Sequence, residues 1–146
     1  MNNDRKTVAV LGAGTMGSGI ATVMARAGHR TILFDISETN LQRGTDTVHG
    51  FFDRSVELGK VDDTAGQAAK DNLEGTTDLA DLATCDVVVE AVFEDLALKK
   101  DIFGQLDQIV SASTLLHTNT STLSVTGIAS GSRLPERVVG THYCNP

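Results

Sequence analysis

The chain's 146 residues are the length of one domain and enough to bury a real core. With 40% hydrophobic and 21% charged residues it reads as a soluble globular protein, and a net charge of −7 excludes a nucleic-acid platform, which needs a basic face. No apolar run approaches membrane-spanning length and the opening "MNNDRK" lacks the apolar core of a secretion signal, so a membrane partner is excluded and a cytoplasmic home is expected.

In chain order the pattern alternates. "TVAVLG" from Thr7 to Gly12 is a β-branched apolar run stopped by glycine, the signature of a buried strand. A helix is predicted over Ser18 to Gly28, with Ile20, Val23, Met24 and Ala27 at helical spacing and Gly28 as its stop. "RTILFD" is a second strand, ending on Asp35, and strand–helix–strand implies parallel pairing through a right-handed crossover.

The stretch from Ser37 to Gly59 is helical by pattern through Leu41, Val48, Phe52 and Val56, although Gly44 and Gly50 are poor helix formers. "GKVDD" turns the chain into a second helix over Ala65 to Leu73, so a helical hairpin is expected here. "GTTDL" is expected to carry a short strand, and "CDVVVEAV" is apolar enough to be buried on both faces. A helix over Lys99 to Val110, a strand in "TLLHTN", a short helix in "LSVTGIAS" and a strand in "RVVGTHY" complete an open, doubly wound α/β sheet.

The turn between the first strand and helix is "GAGTMG": Gly12, Ala13, Gly14, Thr15, Met16 and Gly17. Gly12 permits the tight turn, Gly14 lets backbone approach a pyrophosphate, and Gly17 lets the helix lie close to the strand. Such a turn alone is a weak signal. Placed after a strand, opening a helix, and followed by an acid at the end of the next strand, it is the context of a dinucleotide site. Asp35 is then positioned to accept from ribose hydroxyls and to repel a 2′-phosphate, and "ISETN" after it offers no arginine, so NAD is favoured over NADP.

"VAVLGAGTMGSGIA", "VVVEAVFEDLALKK", "TNTSTLSVTGIA" and "PERVVGTHYCNP" together resemble the NAD-binding domain of the 3-hydroxyacyl-CoA dehydrogenases, from about Lys6 to Pro146. The resemblance implies a Rossmann-type, mainly parallel sheet with a helical hairpin inserted after the second strand, and residues 1–146 as one NAD-binding domain. It implies that His142, in the "H-x-x-N-P" motif, is the general base of a secondary-alcohol oxidation. Imidazole suits that task, because its ordinary protonation range brackets neutral pH. By the same resemblance Ser121 binds the substrate oxygen beside the nicotinamide, Asn145 helps fix the reacting geometry, and Glu94 and Lys99 stand near the cofactor. From the residues alone, Asn119 and Ser121 read as a helix cap, and Glu94 with Lys99 as a solvated ion pair. Lys60, at the hairpin tip, is either a CoA-phosphate contact or a solvated lysine.

The family's base-orienting glutamate, and the helical domain that carries its homodimer surface and closes over substrate, are expected beyond these residues. An isolated chain should therefore bind NAD but turn over slowly or not at all. The implied substrate is an acyl-CoA of fatty-acid or short-chain metabolism. Two departures, Tyr143-Cys144 where two phenylalanines are common and His117 where a small residue is common, keep open the related dehydrogenases of free 3-hydroxy acids, of the lambda-crystallin or carnitine dehydrogenase type. A 3-hydroxyisobutyrate dehydrogenase type shares the glycine turn but differs at "EAVFED" and "NTSTL". A non-catalytic NAD-binding module is the reading from another class. Cys85 and Cys144 have neither metal-ligand spacing nor disulfide density and are read as packing thiols.

Overall fold

A computed structural model describes residues 4–144. Six strands form one sheet in the order β3-β2-β1-β4-β5-β6. They are β1 (Thr7–Leu11), β2 (Arg30–Phe34), β3 (Leu73–Thr76), β4 (Val87–Glu90), β5 (Leu115–Thr118) and β6 (Val138–Gly140). Every pairing is parallel: Val10 stands opposite both Leu33 and Val89, and Glu90 opposite Thr118. The chain first winds outward from β1 to β3 and then returns to place β4 on the other side of β1. All strands therefore end at one edge, with a crevice where the order reverses.

Alternation along the strands divides the core between two layers. On one face Val8, Val10, Leu33 and Val89 meet helices α1 (Thr15–Arg26), α2 (Glu38–Glu57) and α3 (Asp63–Asp71), through Ile20, Ala21, Val48, Phe52 and Ala69. On the other, Ala9, Leu11, Ile32, Val88 and Leu116 meet α4 (Leu96–Ile109) and α5 (Val125–Ala129), through Phe103, Leu106 and Ile128. A buried polar cluster ties α4 to the start of β6. The Asp107 carboxylate accepts from the Arg137 guanidinium, from Ser132 Oγ at 2.9 Å and from the Arg133 amide, while Arg137 donates to the Ser111 carbonyl at 2.6 Å.

The helical hairpin is present as α2 and α3. Asp62 caps α3, its carboxylate accepting from Ala65 N at 2.9 Å, and the helix stops at Asp71 rather than Leu73. That shift has a reason: Leu73 is already in the sheet, opposite Thr31. β3 therefore starts two residues before the expected "GTTDL", whose Asp78 instead caps a 3-10 turn over Leu79–Leu82 by accepting from Ala80 N. Three of the helices also start earlier than their apolar periodicity indicates, because glycine or aspartate caps lie upstream of the first apolar residue. Gly14 precedes α1, Asp62 precedes α3 and Asp95 precedes α4.

Candidate active site

The glycine turn lies at the crevice floor. Gly12 has φ +97°, and its N–H donates to the Phe34 carbonyl at 2.8 Å. A Cβ there would come within 2.7 Å of the Ala91 carbonyl oxygen, and one on Gly17 within 1.7 Å of the Gly12 oxygen. Both glycines are thus required by the protein's own packing. Gly14 is different, since a Cβ on it would meet nothing within 4 Å. It is the N-cap of α1 and provides no side-chain cap, so the helix presents its opening amides to the open space above the turn.

Asp35 ties the two turns together. One carboxylate oxygen accepts from Ala13 N at 3.0 Å and the other from Ser37 N at 2.9 Å. Each oxygen keeps a lone pair, and the residue lines the crevice. The crevice has a volume of about 920 Å³ and runs from the glycine turn past Asp35 to Ala91, Val92, Phe93 and Ile102. Ile36 and Phe93, 87% and 86% exposed, stand on its walls. An uncapped helix start, a carboxylate and apolar walls in a space of ligand size fit an adenine dinucleotide. Arg43, in the second turn of α2, lines the same crevice, a cation that the residues just after Asp35 do not announce.

Beyond β4 lies a network of charge. Glu90 and Lys99 are both 0% exposed, with Lys99 Nζ donating to Glu90 at 2.7 and 2.9 Å. Lys99 also stands 3.3 Å from Glu94 Oε2. Its burial removes the reading of a solvated pair. In the structure its ammonium contacts two carboxylates, those of Glu90 and Glu94. The other oxygen of Glu94 accepts from the Thr120 hydroxyl, from Ser121 N at 3.3 Å and from Thr122 N at 3.4 Å. Burial acts to raise the Glu94 pKa, but the Thr120 hydroxyl and the Lys99 charge outweigh it and hold it down to about 2.

At the ends of β5 and β6 the structure brings together two residues 21 apart in sequence: Ser121 Oγ lies 3.0 Å from His142 Nε2. Both are exposed. Asn119 holds the His142 segment in place, its side-chain oxygen accepting from Tyr143 N at 2.9 Å. Neither Asn119 nor Ser121 caps α5. That task belongs to Ser124, whose hydroxyl accepts from Gly127 N at 3.1 Å. Asn145 lies outside the described residues. Lys60 is exposed at the hairpin tip and does not line the crevice.

Neither departure noted in the sequence lines the crevice. His117, half-buried, stands opposite Val89 and Val139, and burial pushes its imidazole pKa down. Tyr143 is partly buried against the α1–α3 face of the core. Sequence reasoning missed Glu90, and its signal was present: a glutamate closing an apolar strand, nine residues before a lysine on the following helix. Among the described residues no cluster of metal-ligating side chains occurs, and no helix is long and apolar enough to cross a membrane.

Residues 7–146 match the family model described as 3-hydroxyacyl-CoA dehydrogenase, NAD binding domain. Among curated relatives, the 3-hydroxyadipyl-CoA dehydrogenase of Escherichia coli K12 is 44% identical over 141 residues, 97% of this chain and 30% of the relative. The 3-hydroxybutyryl-CoA dehydrogenase of Mycobacterium tuberculosis is 40% identical, with 100% of this chain and 51% of the relative covered. The crystal structure of an E. coli K12 3-hydroxybutyryl-CoA dehydrogenase superposes with a TM-score of 0.95 at 43% identity, over 98% of this chain and 30% of that one. The chain thus spans about half the length of such relatives or less. With the glycine turn, the acid after β2 and the Ser121–His142 contact in the positions described, the chain belongs to the 3-hydroxyacyl-CoA dehydrogenase family, of which it carries the NAD-binding domain.

Proposed function

We propose that the chain binds NAD across Gly12, Gly14, Thr15, Met16 and Gly17 with the adenosine ribose on Asp35. Within a longer polypeptide it then serves the oxidation of a 3-hydroxyacyl-CoA to the 3-ketoacyl-CoA in fatty-acid or short-chain acyl-CoA metabolism of the cytoplasm. The observation that carries this reading is the 3.0 Å contact between Ser121 Oγ and His142 Nε2 beyond the ends of β5 and β6.

A substrate hydroxyl placed between these two side chains can give its proton to His142 Nε2. Ser121 holds the same oxygen and opposes charge developing on it. Bound NAD+ supplies the acceptor for the hydride. Asn145 is proposed to complete the grip on the substrate oxygen, and Glu94 to steady the loop that carries Ser121. Because Ser121 and His142 are open to water, the remaining length seen in the relatives is proposed to supply a wall over them and a carboxylate to orient the imidazole.

Fluorescence titration of the folded chain with NADH tests the cofactor half, with saturable binding expected and NADPH weaker by about ten-fold or more. No saturation at millimolar NADH sinks the reading. For the catalytic half, His142→Ala is made in the polypeptide extended to the relatives' length and assayed with 3-hydroxybutyryl-CoA. Turnover should fall by about 10²–10⁴-fold with NADH affinity retained; unchanged turnover would leave a binding module instead.

A further inference from the structure

We propose that Glu90 and Lys99, neither of which lines the crevice, are positioning residues for the Ser121–His142 pair, acting through Glu94. The inference rests on the proposed role of that pair, and it concerns how the pair is held.

Stability alone gives no reason for charges at these two positions. A buried ion pair stabilises a fold no better than well-packed apolar side chains of the same volume, because desolvation offsets the attraction. Both neighbours of Glu90 in register, Leu11 and Thr118, are buried, and a methyl-bearing pair would fill the same space. What an apolar pair could not do is hold Glu94.

The contacts form one continuous path. Glu90 is saturated: Oε1 accepts from Lys99 Nζ and from Val92 N at 2.7 Å, and Oε2 accepts from Lys99 Nζ and from Thr118 Oγ1 at 2.7 Å. This fixes the ammonium in space against β4, β5 and the turn that leads to Glu94. Glu94 itself is 38% exposed, and an unanchored carboxylate at such a place samples many rotamers. Here its Oε2 faces the fixed ammonium while its Oε1 gathers the Thr120 hydroxyl and the Ser121 and Thr122 amides. The segment gathered is irregular backbone between β5 and α5, with no ladder of its own to rigidify it. Ser121 stands on it, and the distance from its Oγ to His142 is only as well defined as the segment is. Misplacement of a reacting group by about 1 Å costs about 10²-fold in rate, so anchoring from inside the core has a clear use.

The test replaces charge without removing volume. In the double variant Glu90→Gln/Lys99→Met no buried charge is left unpaired, so the chain should fold, as circular dichroism and thermal unfolding will show. If the proposal holds, the Glu94 carboxyl, followed by carbon-13 NMR, titrates at least one unit higher than in the parent chain. Backbone order parameters of Thr120 to Thr122 fall. A folded double variant with Glu94 and the loop unchanged overturns the proposal. Should the double variant not fold, Glu94→Gln at its exposed position serves instead. It should displace the Lys99 Nζ nitrogen-15 signal and loosen the same three residues, and an unmoved signal over a rigid loop overturns the proposal equally. Failure of the parent chain to bind NADH would refute the proposed function while leaving the Glu94 and loop measurements to decide this one.

Discussion

At Glu94 burial and charge act in opposite directions. Desolvation favours the neutral acid, whereas the Thr120 hydroxyl, the Lys99 ammonium and the Thr122 amide favour the carboxylate, and the outcome is a pKa of about 2 against an ordinary 4.5. A depressed folded-state value means that the stabilisation is fully present above pH 4.5 and is lost as the pH falls toward 2. The side chain's 38% exposure screens the effect and limits it to about 1 kcal/mol. Thermal unfolding between pH 6 and pH 2 should therefore show a steeper acid loss in the parent chain than in Glu94→Gln; parallel curves would show that the carboxylate contributes nothing to folding. The single-residue view also separates Glu94 from Lys99, which the sequence presents as equals. One is open to the loop it organises, and the other is enclosed.

Helix α2 shows what a glycine does when its position on an element is known. In the sequence Gly44 and Gly50 both read as weak points of the helix. In the structure a Cβ on Gly44 would lie 2.8 Å from both the Cβ and the carbonyl oxygen of Ala13, and 3.1 Å from Leu33 Cδ2, so this glycine lets α2 lie against the glycine turn itself. A Cβ on Gly50 would meet nothing within 4 Å. Urea unfolding should separate them. Gly44→Ala is expected to cost about 1–3 kcal/mol by overpacking, with weaker NADH binding because Ala13 is pushed. Gly50→Ala is expected to stabilise by about 0.5–1 kcal/mol through helix propensity. Equal effects at the two sites would mean that α2 does not press on the turn.

Across the molecule, the two thiols have opposite surroundings. Cys85 is buried in the α4 layer, where burial pushes its pKa up to about 11, against a lesser pull downward from Arg30. Cys144 is exposed, not the packing thiol expected from the sequence. An aromatic disulfide reagent at pH 8 should modify Cys144 alone in the native chain and both cysteines in denaturant. Rapid native modification of Cys85 would show that the α4 layer opens.

The order of strands and helices and the dinucleotide turn were legible in the sequence, because they rest on local rules: apolar period, glycine at tight turns, caps at helix starts. Ser121 and His142 were singled out only by the family resemblance, since by local rules Ser121 reads as a helix cap, a task that falls to Ser124. Where those rules were ambiguous, around "GTTDL" and at the starts of α3 and α4, pairing with β2 and the upstream capping carboxylates of Asp62 and Asp95 decided the boundaries. Residues far apart along the chain were a different matter. That Ser121 meets His142, that Glu90 and Lys99 neutralise each other out of water, and that Gly44 touches Ala13 depend on which parallel strands become neighbours and which helix covers them. Parallel pairing joins strands through long crossovers, so such meetings are settled only when the whole sheet closes.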